Sequence, residues 1–343
     1  MEQKRLKWVD NAKGIAMISV VLCHVVDGFY GANLYLSSND ILFYIRNTCN
    51  VFQMPLFCMI SGYLFVKAYV KNDGTIKWER LSRQIKNLSL VYVMWCLVMW
   101  AFKIALSGSV NREVRLVDIL LIWFKPIGVY WYLFVLAGLY ILFSQRNKFK
   151  VNNLVLGVIL FGISVVSSLL VNYEGYLFAF RRIAYFGVLF FLGMIIGKEE
   201  IKTKIKLMTG VFGSLAIILS VVFWNNECEI YHTPVVNLIT AIGSCLLIVT
   251  LIKVVSKYTK TILLTYIGKN SLDIYLLHVF FAAGCRMLLA RMCWIPIWFG
   301  IIGTFVISLF IPLLVGMLAR RIGAYDIMFK PYYFIEKKRG KRI

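Results

Sequence analysis

Residues 4–27 read Lys4-Arg5-Leu6-Lys7-Trp8-Val9-Asp10-Asn11-Ala12-Lys13-Gly14-Ile15-Ala16-Met17-Ile18-Ser19-Val20-Val21-Leu22-Cys23-His24-Val25-Val26-Asp27. Cations open the stretch, and an apolar run follows without a small-residue cleavage site. That pattern reads as a retained membrane-spanning helix, not a removable signal peptide. The rest of the chain extends the reading. About 60% of the 343 residues are hydrophobic and 16% are charged, and the mean hydropathy is +0.77. Soluble domains carry about a quarter charged residues, so a soluble globular protein is excluded. A span uses about 20 apolar residues, which leaves room for about ten spans and none for an appended soluble domain. The expected fold is therefore an all-α, polytopic membrane bundle. Its spans fall near residues 12–29, 43–66, 88–106, 128–143, 154–171, 183–197, 207–224, 235–252, 272–289 and 297–319. One domain is expected over 1–343, with the membrane part at about 8–320 and a basic tail beyond.

Charge gives the orientation. Lys and Arg number 38 against 16 Asp and Glu, a net charge of +22. With the N-terminus inside, about 29 of the 38 bases fall in inner segments, so both termini are expected in the cytoplasm. A nucleic-acid partner is the rival explanation of so basic a chain, and the apolar composition argues against it; anionic membrane lipid is the expected neighbour. Cys23, Cys58, Cys96, Cys245 and Cys285 lie within apolar runs and read as packing residues. No metal-ligand pattern stands out.

An ionisable side chain near the bilayer centre costs a few kcal/mol, so each one marks a functional hypothesis. His24 lies 11 residues after Lys13, about 16 Å along a helix and close to the middle of a roughly 30 Å hydrocarbon core. Eleven steps of about 100° return nearly to the same azimuth, so Lys13, Met17, Val20 and His24 form one stripe. Asp27, three residues on, is placed to hold one ring nitrogen and leave the other basic. The competing reading makes His24 a helix–helix hydrogen bond and Asp27 a boundary residue. His278 shares a face with Ser271, Ile274 and Tyr275 and is either a substrate contact or a satisfied inter-helix histidine. Asp273 reads as the acidic third residue of a capping box opened by Asn270. Lys77, Arg80, Arg83 and Lys86 recur every third residue. They suit either phosphates or anionic headgroups.

Together these segments resemble the acyltransferase-3 family of polytopic membrane acyltransferases, which includes bacterial surface-polysaccharide O-acetyltransferases. Trp8 to His24 is similar to its first helix. Phe52-Gln53-Met54-Pro55-Leu56-Phe57 with Ile60-Ser61-Gly62-Tyr63 is similar to its second, and Arg80-x-x-Arg83 to its two-arginine motif. Tyr130-Trp131-Tyr132-Leu133, Phe191-Leu192-Gly193 and Gly268 to His278 fit later helices. The resemblance implies transfer from cytoplasmic acyl-CoA, usually acetyl-CoA, to a sugar hydroxyl of a surface glycan. It casts His24 as the catalytic histidine and Lys13, Arg80 and Arg83 as donor contacts. Asp27 would orient His24, with His24 acting as general base or acyl carrier. Ser61, beside a Pro55 that either breaks the second helix or simply kinks it, together with Trp131, Tyr275 and His278, would face the acceptor. Sugar stacking and a membrane-interface belt compete for Trp131. The implied setting is a bacterial inner membrane, with polysaccharide-biosynthesis proteins as possible partners. A transporter or flippase of lipid-linked sugars is the alternative from another class; repeat symmetry and discontinuous helices would favour it, and neither is evident.

Overall fold

A computed structural model of the chain describes residues 6–34, 41–108, 114–146, 151–169, 178–198, 213–215, 218, 234–292 and 296–340. Within a bilayer every backbone N–H and C=O must be satisfied inside the protein, and long apolar runs meet that demand as helices. The helices are α1 Lys7–Gly31, α2 Ile41–Tyr69, α3 Trp78–Ala105, α4 Trp131–Ser144, α5 Asn153–Leu169 and α6 Phe178–Lys198. They continue with α7 Pro234–Tyr258, α8 Ile262–Lys269, α9 Ser271–Leu289, α10 Ile297–Arg321, α11 Tyr325–Phe329 and α12 Pro331–Lys338. Among the described residues seven of these, α1, α2, α3, α6, α7, α9 and α10, are long and apolar enough to cross a membrane. Two shorter apolar helices, Gly128–Ser144 and Asn153–Leu169, match two further expected spans. The expected span at 207–224 lies almost wholly outside the described residues. Pro55 does not break α2, which runs through it unbroken; flanking helical turns hold the conformation although one hydrogen bond is lost.

The chain divides into two compact units, Met1–Ile60 with Glu200–Val315 and Ser61–Glu199 with Gly316–Ile343. In the first, α1 packs on α7, α8 and α9. Its approach to α8 needs a bare backbone: a Cβ on Gly268 would lie 1.7 Å from the Asp10 carbonyl oxygen. Small residues are what allow membrane helices to come this close. Asn11, fully buried, locks the same contact. Its Nδ2 donates to Ser256 Oγ at 2.6 Å and Thr261 Oγ1 at 2.7 Å, and its Oδ1 accepts from Thr265 Oγ1 at 2.7 Å. The capping box expected at the start of α9 is not formed. Asn270 Nδ2 donates back to the Tyr266 carbonyl at 2.9 Å, and no side chain caps the helix there.

In the second unit α6 packs on α4 and α5, and α3 on α4 and α12. Phe65, Tyr140, Phe143 and Phe190 form its aromatic centre, with neighbouring ring centroids 5.0 to 5.6 Å apart. The residues expected to be a basic tail fold back as α11 and α12. Trp95 Nε1 donates to the Met328 carbonyl at 3.0 Å, the Tyr332 amide to Asn87 Oδ1 at 3.3 Å, and the Tyr333 hydroxyl to Gln84 at 3.2 Å. Phe329 is buried beneath them. Apolar anchors at the ends of a charged segment turn it into packed helices.

Candidate active site in the first unit

The α1 stripe carries Lys13 and His24 as the spacing requires, and α9 brings His278 to His24. The two ring centroids are 5.3 Å apart and the planes are inclined by 36°. His278 Nδ1 lies 2.8 Å from the Ile274 carbonyl oxygen. A carbonyl only accepts, so Nδ1 carries the proton and Nε2 the lone pair. That Nε2 is buried and has no hydrogen-bond partner among the described residues. An unpaired acceptor in a membrane interior is costly, which marks it as awaiting a donor from a ligand. Tyr275 stands beside the pair, its ring centroid 6.5 Å from that of His278.

A cavity of about 80 Å³ opens next to His24, lined by Gly28, Phe29, Ala282, Ala283 and Arg286 among others. Gly and Ala leave the space and His24 supplies the reactive edge. The volume suits a small functional group, not a whole sugar ring.

Asp27, one turn from His24, is bound by an arginine that the helical spacing does not foretell. Arg46, from α2, reaches the Asp27 Oδ1 with both Nε and Nη2 at 2.7 Å. A guanidinium offers a carboxylate two charge-assisted hydrogen bonds, which outcompete one neutral imidazole. Arg46 also donates from Nη1 to Asn47 Oδ1 at 2.8 Å. His24 has the His278 ring of α9 beside it.

The remaining expected site residues lie in the second unit. Ser61 Oγ and the Tyr132 hydroxyl form a hydrogen bond of 3.1 Å. The Trp131 ring has the Arg182 guanidinium 4.0 Å from its centroid and stacks on Phe186 at 5.9 Å; protein groups already pack against this aromatic. Arg80 is exposed and reaches within 5.9 Å of the Tyr69 ring centroid. Arg83 is engaged by two carboxylates. It bonds to Glu79 one turn away and lies 3.6 Å from Glu336 Oε2 of α12. Burial raises the Tyr333 hydroxyl above its ordinary value, with Arg80 and Arg83 opposing the shift. Sequence reasoning missed Arg46, Arg286 and the Asn11 lock.

A polytopic helical bundle that sets two histidines side by side within its membrane spans is the frame of a membrane-embedded enzyme. Residues 6–334 match the family described as Acyltransferase domain, the acyltransferase-3 family. The chain belongs to that family. It is also similar to the Nodulation protein NolL of Mesorhizobium japonicum, at 28% identity over 144 residues. That stretch is 41% of this chain and 36% of the relative. No solved structure matches it.

Proposed function

We propose that this acyltransferase moves an acetyl or other short acyl group from cytoplasmic acyl-CoA to a hydroxyl of a cell-surface glycan or its sugar precursor. It would work as a multi-pass protein of a bacterial inner membrane with both termini inside. The observation that carries this reading is the His24–His278 pair beside a small cavity. His24 either takes the proton of the acceptor hydroxyl as it attacks the thioester carbon, or accepts the acyl group on its own nitrogen and passes it on. In both routes the coenzyme thiolate leaves and is protonated. His278, its Nδ1–H anchored to Ile274, presents a lone pair that can hold the acceptor hydroxyl or steady the first imidazole. Lys13, Arg80 and Arg83 are proposed as donor contacts, and Ser61, Trp131 and Tyr275 as acceptor contacts, on the family likeness. Lipid surrounds the enzyme, and polysaccharide-biosynthesis proteins are its proposed partners.

Transfer of label from radioactive acetyl-CoA to candidate glycans by purified protein tests this. The His24→Ala variant should purify folded and transfer nothing, because the role is chemical and not one of packing. Parental rates in that variant would remove His24 from the reaction.

A further inference from the structure

Arg286 is only 8% exposed although it lies in the apolar helix α9. Its one polar contact among the described residues is Nη1 to the Gly28 carbonyl oxygen, at a long 3.5 Å. Among the described residues no carboxylate pairs with it, and the one acid on that part of α1, Asp27, is held by Arg46. A buried guanidinium without a counter-charge is costly and marks a site that an anion completes. Arg286 lines the same cavity as His24. Its anchor Gly28 lies one helical turn beyond His24, on the side away from Lys13, which is about 6 Å along the axis. An acidic sugar spans a comparable distance between its charged substituent and a ring hydroxyl.

We infer that this cavity is a receptor for an oxyanion carried by the acceptor, a carboxylate or a phosphate ester, with Arg286 as its counter-charge. The anion seats against the guanidinium in bidentate fashion, Gly28, Ala282 and Ala283 leave it room, and the ring stays outside with one hydroxyl turned to His24. Arg286 thus selects acidic acceptors over neutral ones. The inference rests on the proposed acyl transfer for the word acceptor; the anion site itself is measurable without any turnover.

The test uses the full chain in a non-ionic detergent, with methyl glucuronide, glucose 1-phosphate and methyl glucoside as probes, followed by saturation-transfer NMR. The parent should bind at least one of the two anionic sugars about ten- to a hundred-fold more tightly than the neutral one, as charge-assisted hydrogen bonds predict. Which of them is preferred assigns the anion as carboxylate or phosphate ester. Arg286→Gln should remove the preference. Ala283→Val, which keeps the charge and narrows the cavity, should remove it too, so the site remains testable if the arginine variant fails to fold. Equal binding of all three sugars to the parent overturns the proposal, as does a preference that survives Arg286→Gln. So does its loss on adding phosphatidylglycerol, which would make a lipid headgroup the occupant. A parent protein that selects acidic sugars but transfers no label contradicts the proposed function and leaves this site standing.

Discussion

Asp27 sits one turn from a histidine and is bound to an arginine, so its charge works on Arg46 and the α1–α2 contact. We expect Asp27→Asn to lower stability by about 0.5–1 kcal/mol, the value of a partly exposed ion pair, with the shape of the pH–rate profile unchanged. Thermal unfolding in detergent and rates between pH 5 and 9 measure the two effects. A displaced lower limb of the profile would show that the carboxylate acts on His24 instead. Residue by residue, the sequence disclosed what helical periodicity alone can place. Lys13 and His24 share a stripe because both lie on one helix. The His24–His278 approach and the Arg46–Asp27 bond depend on which helices pack together, and no spacing rule contains that. Arg286 was readable in principle, as a cation inside an apolar run, and was overlooked beside the more familiar histidines.

At the scale of the helices, apolar runs located the spans and understated their ends. The third begins at Trp78, ten residues before its hydrophobic stretch, so the stripe of cations at 77–86 lies mostly within it, on its first turns. Helices α11 and α12 were invisible to hydropathy because both are far shorter than a span, five and eight residues, and α12 is not apolar overall; contacts with α3 stabilise them. Those contacts separate two arginines that the motif treats alike. Arg83 is committed to Glu79 and Glu336, whereas among the described residues Arg80 pairs with no carboxylate and lies over the Tyr69 ring. Arg80→Ala should therefore weaken acyl-CoA binding about ten- to a hundred-fold at little cost in stability. Arg83→Ala should cost about 1–3 kcal/mol by stranding the buried Glu336, with a smaller change in affinity. Calorimetry with acyl-CoA and thermal unfolding of both variants decide it; equal losses of affinity would give the two arginines equal shares in the donor site.

For the molecule as a whole, the count of cations says more than any single contact. In the proposed orientation, which follows the inside-positive pattern, the turn at residues 71–77 is cytoplasmic and the 125–127 segment lies outside. Asp73 and Lys125 are both exposed. Once the native cysteines are replaced, Lys125→Cys should react with a membrane-impermeant thiol reagent on intact cells, and Asp73→Cys only after permeabilisation. Reaction of both from one side would overturn the orientation. Hydropathy foresaw the membrane class and most spans, but not that the chain gathers into two compact units, each built from stretches distant in sequence. Membership of a unit is decided by side-chain fit, to which average hydropathy is blind.

The clasp of α12 on α3 also fixes an order of events at the ribosome. Asn87 waits for a partner 245 residues further along the chain, and Glu336 is synthesised later still. Until that segment emerges, the first turns of α3 lack the partners that Asn87 and Arg83 meet in the folded protein. A chain cut short near residue 325 would keep the seven long apolar helices found among the described residues and leave this surface of α3 open, so the loss of a short polar segment should show as a loss of stability and not of membrane insertion.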